Sequence, residues 1–145
     1  MSGAPIVVGT DGSATASHAV QEAAKFARAL GAPLHLVMSC ESMSSIALAS
    51  AAGTLAIGAE DGVEEEAQII LDRARVDLAR EGVEAVTHVC SGEPAAALVS
   101  VADGVEAQMI VVGNRGMSGA RRVLGSVPNR VSHHAHCSVM IVQTG

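Results

Sequence analysis

The stretch Gly113-Asn114-Arg115-Gly116-Met117-Ser118-Gly119-Ala120-Arg121-Arg122-Val123-Leu124-Gly125-Ser126 carries most of the chemistry legible in this 145-residue chain. Glycines at a strand end let backbone N–H groups approach an anion with no Cβ in the way. Gly125 and Ser126 stand where a helix opens, and the amides and dipole of a helix start favour phosphate. The Ser126 hydroxyl adds a donor. Arg115, Arg121 and Arg122 bring positive charge in a forked geometry suited to phosphate. A second stretch, Thr10-Asp11-Gly12-Ser13, places a carboxylate and two hydroxyls at another strand end. The spacings fit neither G-x-x-x-x-G-K-[ST] nor G-x-G-x-x-G, and the single lysine, Lys25, lies apart from both stretches. Spacing alone leaves a tight surface turn beside the anion-binding reading. It likewise leaves Asp11 as a turn or cap residue and Arg121 and Arg122 as solvated charges.

The charge distribution points the same way. The formal net charge is −6, yet all 15 acidic residues lie within 1–106. Residues 107–145 hold Arg115, Arg121, Arg122 and Arg130 and no acid. An anionic ligand near the C-terminal third accords with that asymmetry. An acidic molecule is repelled by nucleic-acid backbones, and with one Phe and no Trp or Tyr there is no aromatic platform for single strands. No nucleic-acid partner is expected.

Other groups yield little. His133, His134 and His136 sit at a helix end, where neighbouring side chains point apart, so no metal site is expected from them. Cys40, Cys90 and Cys137 are odd in number and widely spaced. They read as small apolar residues of a reduced, cytoplasmic protein. No leader is evident at the start, and the apolar run within 46–59 is too short and too interrupted for a membrane span. Glu41 and Glu93, near strand ends, are weak candidates for a hydrolytic base. With no P-loop lysine, a bound nucleotide would be a regulatory ligand, hydrolysed slowly at most.

These groups need a scaffold. Short β-branched runs at 4–10, 34–40, 83–90, 108–113 and 138–142 read as strands. Between them, helical apolar spacing marks 14–30, about 60–81, 94 to about 103, and a short helix to about 134 with Ser126 as its N-cap. Residues 41–59 read as a loop, a lid over a ligand or a cover for a dimer surface. The alternation implies one α/β domain over 1–145, a parallel sheet with helices on both faces. Ligands of such sheets bind beyond the carboxyl ends of the strands where the winding reverses.

Taken together, Ile6-Val7-Val8-Gly9-Thr10-Asp11-Gly12-Ser13, Val111-Val112-Gly113-Asn114-Arg115-Gly116, Gly125-Ser126-Val127-Pro128 and Ser138-Val139-Met140-Ile141-Val142 resemble the universal stress protein (UspA-like) family over essentially the whole chain. The ATP-binding branch of that family carries G-x2-G-x9-G-[ST]; here the second gap, between Gly116 and Gly125, holds eight residues. The resemblance implies a three-layer, adenine nucleotide alpha hydrolase-like sandwich, its five parallel strands in the order 3-2-1-4-5. It implies ATP as ligand, or AMP or cyclic AMP, with Mg2+ carried by the phosphates, and a role in stress response. It places Thr10, Asp11, Gly12 and Ser13 at the ribose or base, Met38 and Ser39 against the adenine, and Gly113, Asn114, Arg115, Gly116, Gly125, Ser126, Val127 and Pro128 around the phosphates, neutralised by Arg121 and Arg122. It also implies a homodimer joined through Ser138 to Val142. A nucleotide-free dimeric interaction protein of the same fold stands as the alternative.

Overall fold

The computed structural model describes residues 3–41, 59–114 and 125–144, the side chains of 59–61 excepted. Strands β1 (Ile6–Gly9), β2 (Leu34–Ser39), β3 (Ala85–Cys90), β4 (Met109–Gly113) and β5 (Ser138–Val142) alternate with helices α1 (Ala14–Leu30), α2 (Ala59–Arg80), α3 (Pro94–Gly104) and α4 (Ser126–His134). The strands form one sheet in the order β3-β2-β1-β4-β5, every pairing parallel. The winding therefore reverses between β1 and β4, as expected.

Strand parity sends the side chains to two separate cores. Ile6 and Val8 of β1 join Leu34, Leu36 and Met38 of β2 beneath α1 and α2. Val7 joins Val37, Ile110 and Val112 beneath α3 and α4, with Leu98 and Val131. The helices lie on both faces, and β2 is buried along its whole length. The outermost strands depart from the continuous burial the apolar runs suggest: Val86 of β3 and Ile141 of β5 are exposed. Among the described residues no helix is long and apolar enough to cross a membrane.

Local chemistry explains where the helices begin and end. The Ser13 hydroxyl caps α1 by accepting the Ala16 amide at 3.2 Å, a contact of the kind worth about 1 kcal/mol. Alanines line its buried face, so the helix lies close on the sheet. Gly31, with φ 61°, closes it. Val83, expected as a strand residue, instead seals α2: its amide donates to Leu78 O at 2.9 Å, after Gly82 at φ 82°. Its burial comes from that helix end, and β3 starts two residues later. The N-cap of α4 is Gly125, with extended backbone, so Ser126 is the first helical residue and not the cap.

Histidines meet across β2 and β3. The rings of His35 and His88 stack with centroids 5.0 Å apart, and Nδ1 of His35 lies 2.7 Å from Nε2 of His88. One ring must donate and the other accept, which requires that they not both be protonated. Burial lowers both pKa values; for His35 the neighbouring His88 lowers it further, against a smaller raising effect of Glu84. The folded chain therefore binds fewer protons here than the unfolded one. Stability is full above the unfolded histidine value near 6.5 and is lost as pH falls below it toward the folded value. Thermal melts from about pH 7.5 down to about pH 5.5 are expected to show a falling Tm. His88→Gln should flatten that slope; an unchanged slope would assign it to other groups.

Candidate functional site

A cleft of about 370 Å³ opens at the carboxyl ends of β1, β2 and β4, at the switch point. The size is that of a small-molecule site. Its lining comes from five directions: Gly9, Thr10 and Asp11 after β1, with Ala16 of α1; Val37 and Ser39 of β2; Pro94 and Leu98 of α3; Val112 and Gly113 of β4; Gly125, Ser126, Val127 and Pro128 at the start of α4. The walls are mainly apolar and none is aromatic. A flat ring entering here would be held by Val37, Leu98 and the prolines.

The polar rim is built from turns. The Thr10 amide donates to Val37 O at 2.9 Å, tying the β1 exit to β2. Thr10 Oγ1 accepts the Gly12 amide at 3.1 Å, and Asp11 Oδ1 accepts the Ser13 amide at 3.0 Å. This Asx turn fixes the Asp11 carboxylate at the cleft edge, 7% exposed. Gly12 completes the turn at φ 83° beneath Ile70 of α2, whose Cδ1 would stand 3.2 Å from any added Cβ. Ser39 is locked: its hydroxyl donates to Gly92 O at 2.5 Å and accepts the Glu41 amide at 3.2 Å. Its proton is thus committed within the protein.

The start of α4 faces this rim. Gly125 brings no side chain to the cap, so nothing from the cap residue covers the amides of Ser126 and Val127. Pro128 has no N–H and fits the first turn without cost. Those two amides and the Ser126 hydroxyl form a compact donor set for an anion. Glu93, the cap residue of α3, pairs with Arg130 of α4 at 3.1 Å and joins the two helices beside the cleft. Of the two acids considered for hydrolysis, Glu93 is thus engaged in an ion pair.

Thr10, Asp11, Ser39, Gly113, Gly125, Ser126, Val127 and Pro128 therefore come together on one cleft. Gly12 and Ser13 support it from the turn behind. Met38 points away: it is fully buried in the core under α1 and α2, since neighbours on a strand face opposite sides. Asn114 is buried behind Gly113 and accepts from Thr144. Arg115, Gly116, Arg121 and Arg122, and the loop at 42–58, lie outside the described residues. Sequence reasoning missed Gly9, Ala16, Val37, Pro94, Leu98 and Val112. Parity with Ser39 was the signal for Val37, and the Pro94 helix start for Leu98 one turn on.

Among the described residues no group of three His, Cys, Asp or Glu is placed to hold a metal. His136 pairs with Asp103 at 3.1 Å. The three cysteines are free and partly buried, and burial pushes their thiols up.

Residues 4–143 match the model of the universal stress protein family. The chain belongs to this family. Universal stress protein Rv1636 of Mycobacterium tuberculosis is 38% identical over 143 residues, covering 96% of this chain and 95% of its own. Universal stress protein MJ0531 of Methanocaldococcus jannaschii is 32% identical over 139 residues, 95% and 81% of the two chains. Solved structures of family members superpose over the whole fold. The universal stress protein from Archaeoglobus fulgidus in complex with dAMP is 30% identical with a TM-score of 0.72, covering 99% of this chain and 100% of that one. A universal stress protein in complex with cAMP matches at 30% identity and a TM-score of 0.72, over 100% of both chains. The strand order, the adenine nucleotide alpha hydrolase-like fold and the family are thus as the sequence implied.

Proposed function

We propose that this universal stress protein binds an adenine nucleotide in the cleft between β1 and β4, as a regulatory ligand in stress response. The observation that carries the reading is the start of α4 without a side-chain cap, set opposite the Asp11 turn at the switch point of the sheet. Phosphate is taken by the amides of Ser126 and Val127, the Ser126 hydroxyl and the Gly113 backbone. Asp11 accepts from the ribose hydroxyls, and the adenine lies among Val37, Leu98 and Pro94. The relatives solved with dAMP and with cAMP support a monophosphate. ATP extends the same pose, its outer phosphates carrying Mg2+ with them; the arginines that the family resemblance assigns to charge neutralisation, Arg115, Arg121 and Arg122, lie outside the described residues. Because the Ser39 hydroxyl is already engaged, recognition of the base at β2 rests on shape and backbone.

Thermal melting with AMP, dAMP, cyclic AMP, ATP–Mg2+ and adenosine tests this. Ligand at 100 times its Kd adds about 2.7 kcal/mol, which for a chain of this size is a rise of roughly 5–10 °C. No rise with any of them at millimolar concentration would favour a nucleotide-free interaction protein. The edge strand β5, with Ile141 at 40% exposure, is the surface we assign to a second copy of the chain, and sedimentation equilibrium reads that association.

A further inference from the structure

The carboxyl end of β4 is held by the tail that follows β5. The Asn114 amide donates to Val142 O at 2.9 Å, extending the β4–β5 ladder by one step. Asn114 is 3% exposed. Its side-chain oxygen accepts from Thr144 twice, from the backbone amide at 2.8 Å and from Oγ1 at 2.8 Å. An amide carbonyl oxygen has two lone pairs, and both donors of Thr144 are directed at it. Thr144 also packs over Gly113: a Cβ there would stand 3.1 Å from the Thr144 methyl and 3.6 Å from its hydroxyl. Gly113 lines the cleft; Thr144 sits directly behind it.

We propose that Thr144 is a positioning residue for phosphate binding. It acts through Asn114, fixing the backbone of Gly113 and Asn114 at the cleft wall opposite the start of α4. The Asn114 amide is engaged by Val142 O and its side-chain oxygen is turned toward the tail, so the wall meets the ligand through the main chain of Gly113. A Cβ at residue 113 would press on the Thr144 methyl behind the cleft wall. The inference rests on the nucleotide reading above and adds to it a residue 30 positions away in sequence.

Two variants test it. Thr144→Val keeps the methyl over Gly113 and the backbone donor and removes only the hydroxyl donor. Thr144→Ser keeps the hydroxyl. AMP affinity is measured by calorimetry well below the melting temperature of each variant. With the hydroxyl donor gone the backbone at 113–114 is held less firmly, and AMP binding is expected to weaken roughly fivefold to twentyfold in Thr144→Val. Thr144→Ser should stay within about twofold of the native chain. Native affinity in Thr144→Val, or a Thr144→Ser chain as weak as Thr144→Val, overturns the inference while leaving the nucleotide reading in place. A native chain that binds no AMP overturns the nucleotide reading and this inference with it.

Discussion

Ser126→Asp is expected to weaken nucleotide binding by at least about tenfold while leaving the fold slightly more stable. Ser126 is the first helical residue of α4 and is exposed at the cleft mouth. A carboxylate at that position is favoured by the helix dipole, by about 0.3–1 kcal/mol. Toward a phosphate the sign reverses. Two negative charges about 4 Å apart repel by ~1 kcal/mol in bulk water and ~4 kcal/mol at the effective dielectric of a protein surface. The Ser126 donor is lost as well. Affinity should fall roughly tenfold to a thousandfold, less at high salt because exposed charges are screened. Calorimetric titration beside an unliganded melt reads both quantities. A Ser126→Asp chain that binds AMP like the native one would mean that the phosphate lies elsewhere.

Gly12→Val is expected to cost the most stability of any single change in the site's turns. Gly12 sits at φ 83°, a conformation that a β-branched residue adopts only under strain, at roughly 1–3 kcal/mol. The added side chain also meets Ile70, whose Cδ1 and Cγ2 lie 3.2 and 3.5 Å from the Cβ position. Overpacking of this kind costs about 1–3 kcal/mol more. Together these lower Tm by on the order of 10 °C. Gly12→Asn should be milder, since Asn tolerates the left-handed region. Because the same turn presents Asp11, the valine variant should also bind nucleotide more weakly at temperatures where it remains folded. Equal melting of the valine and asparagine variants would show that the backbone conformation at residue 12 matters little.

The parts of the fold that were legible in the sequence are those with local punctuation. Ser13 and Gly31 bracket α1, and both ends of that helix fall where capping chemistry places them. β5 is a β-branched run with a clear start and stop, and its bounds agree as well. Val83 misled because an apolar residue that seals a helix end looks, in one dimension, like the first residue of a strand. Ser126 misled in the opposite sense. Serine is the better N-cap by propensity, yet Gly125 takes that place and leaves the serine free to face the cleft.

The site was legible where it is built from backbone. Glycines at strand ends and the helix start at Gly125 and Ser126 mark the proposed anion-binding wall without any knowledge of the fold. Side-chain roles were harder, because they depend on contacts between distant residues. Nothing near Ser39 in sequence shows that its hydroxyl is spent on Gly92, 53 residues away. Nothing near Asn114 shows that its oxygen is held by Thr144. Met38 and Ser39 could not both line one cleft, and strand parity was the available clue. The orientation of the two sheet faces was needed to decide between them.

The most direct measurement is a crystal structure of the chain grown with AMP. The expected result places the phosphate oxygens within about 2.7–3.2 Å of the Ser126 and Val127 amides, with the ribose beside Asp11. A phosphate bound away from the start of α4, or a cleft left closed by protein side chains while AMP is in excess, would contradict it.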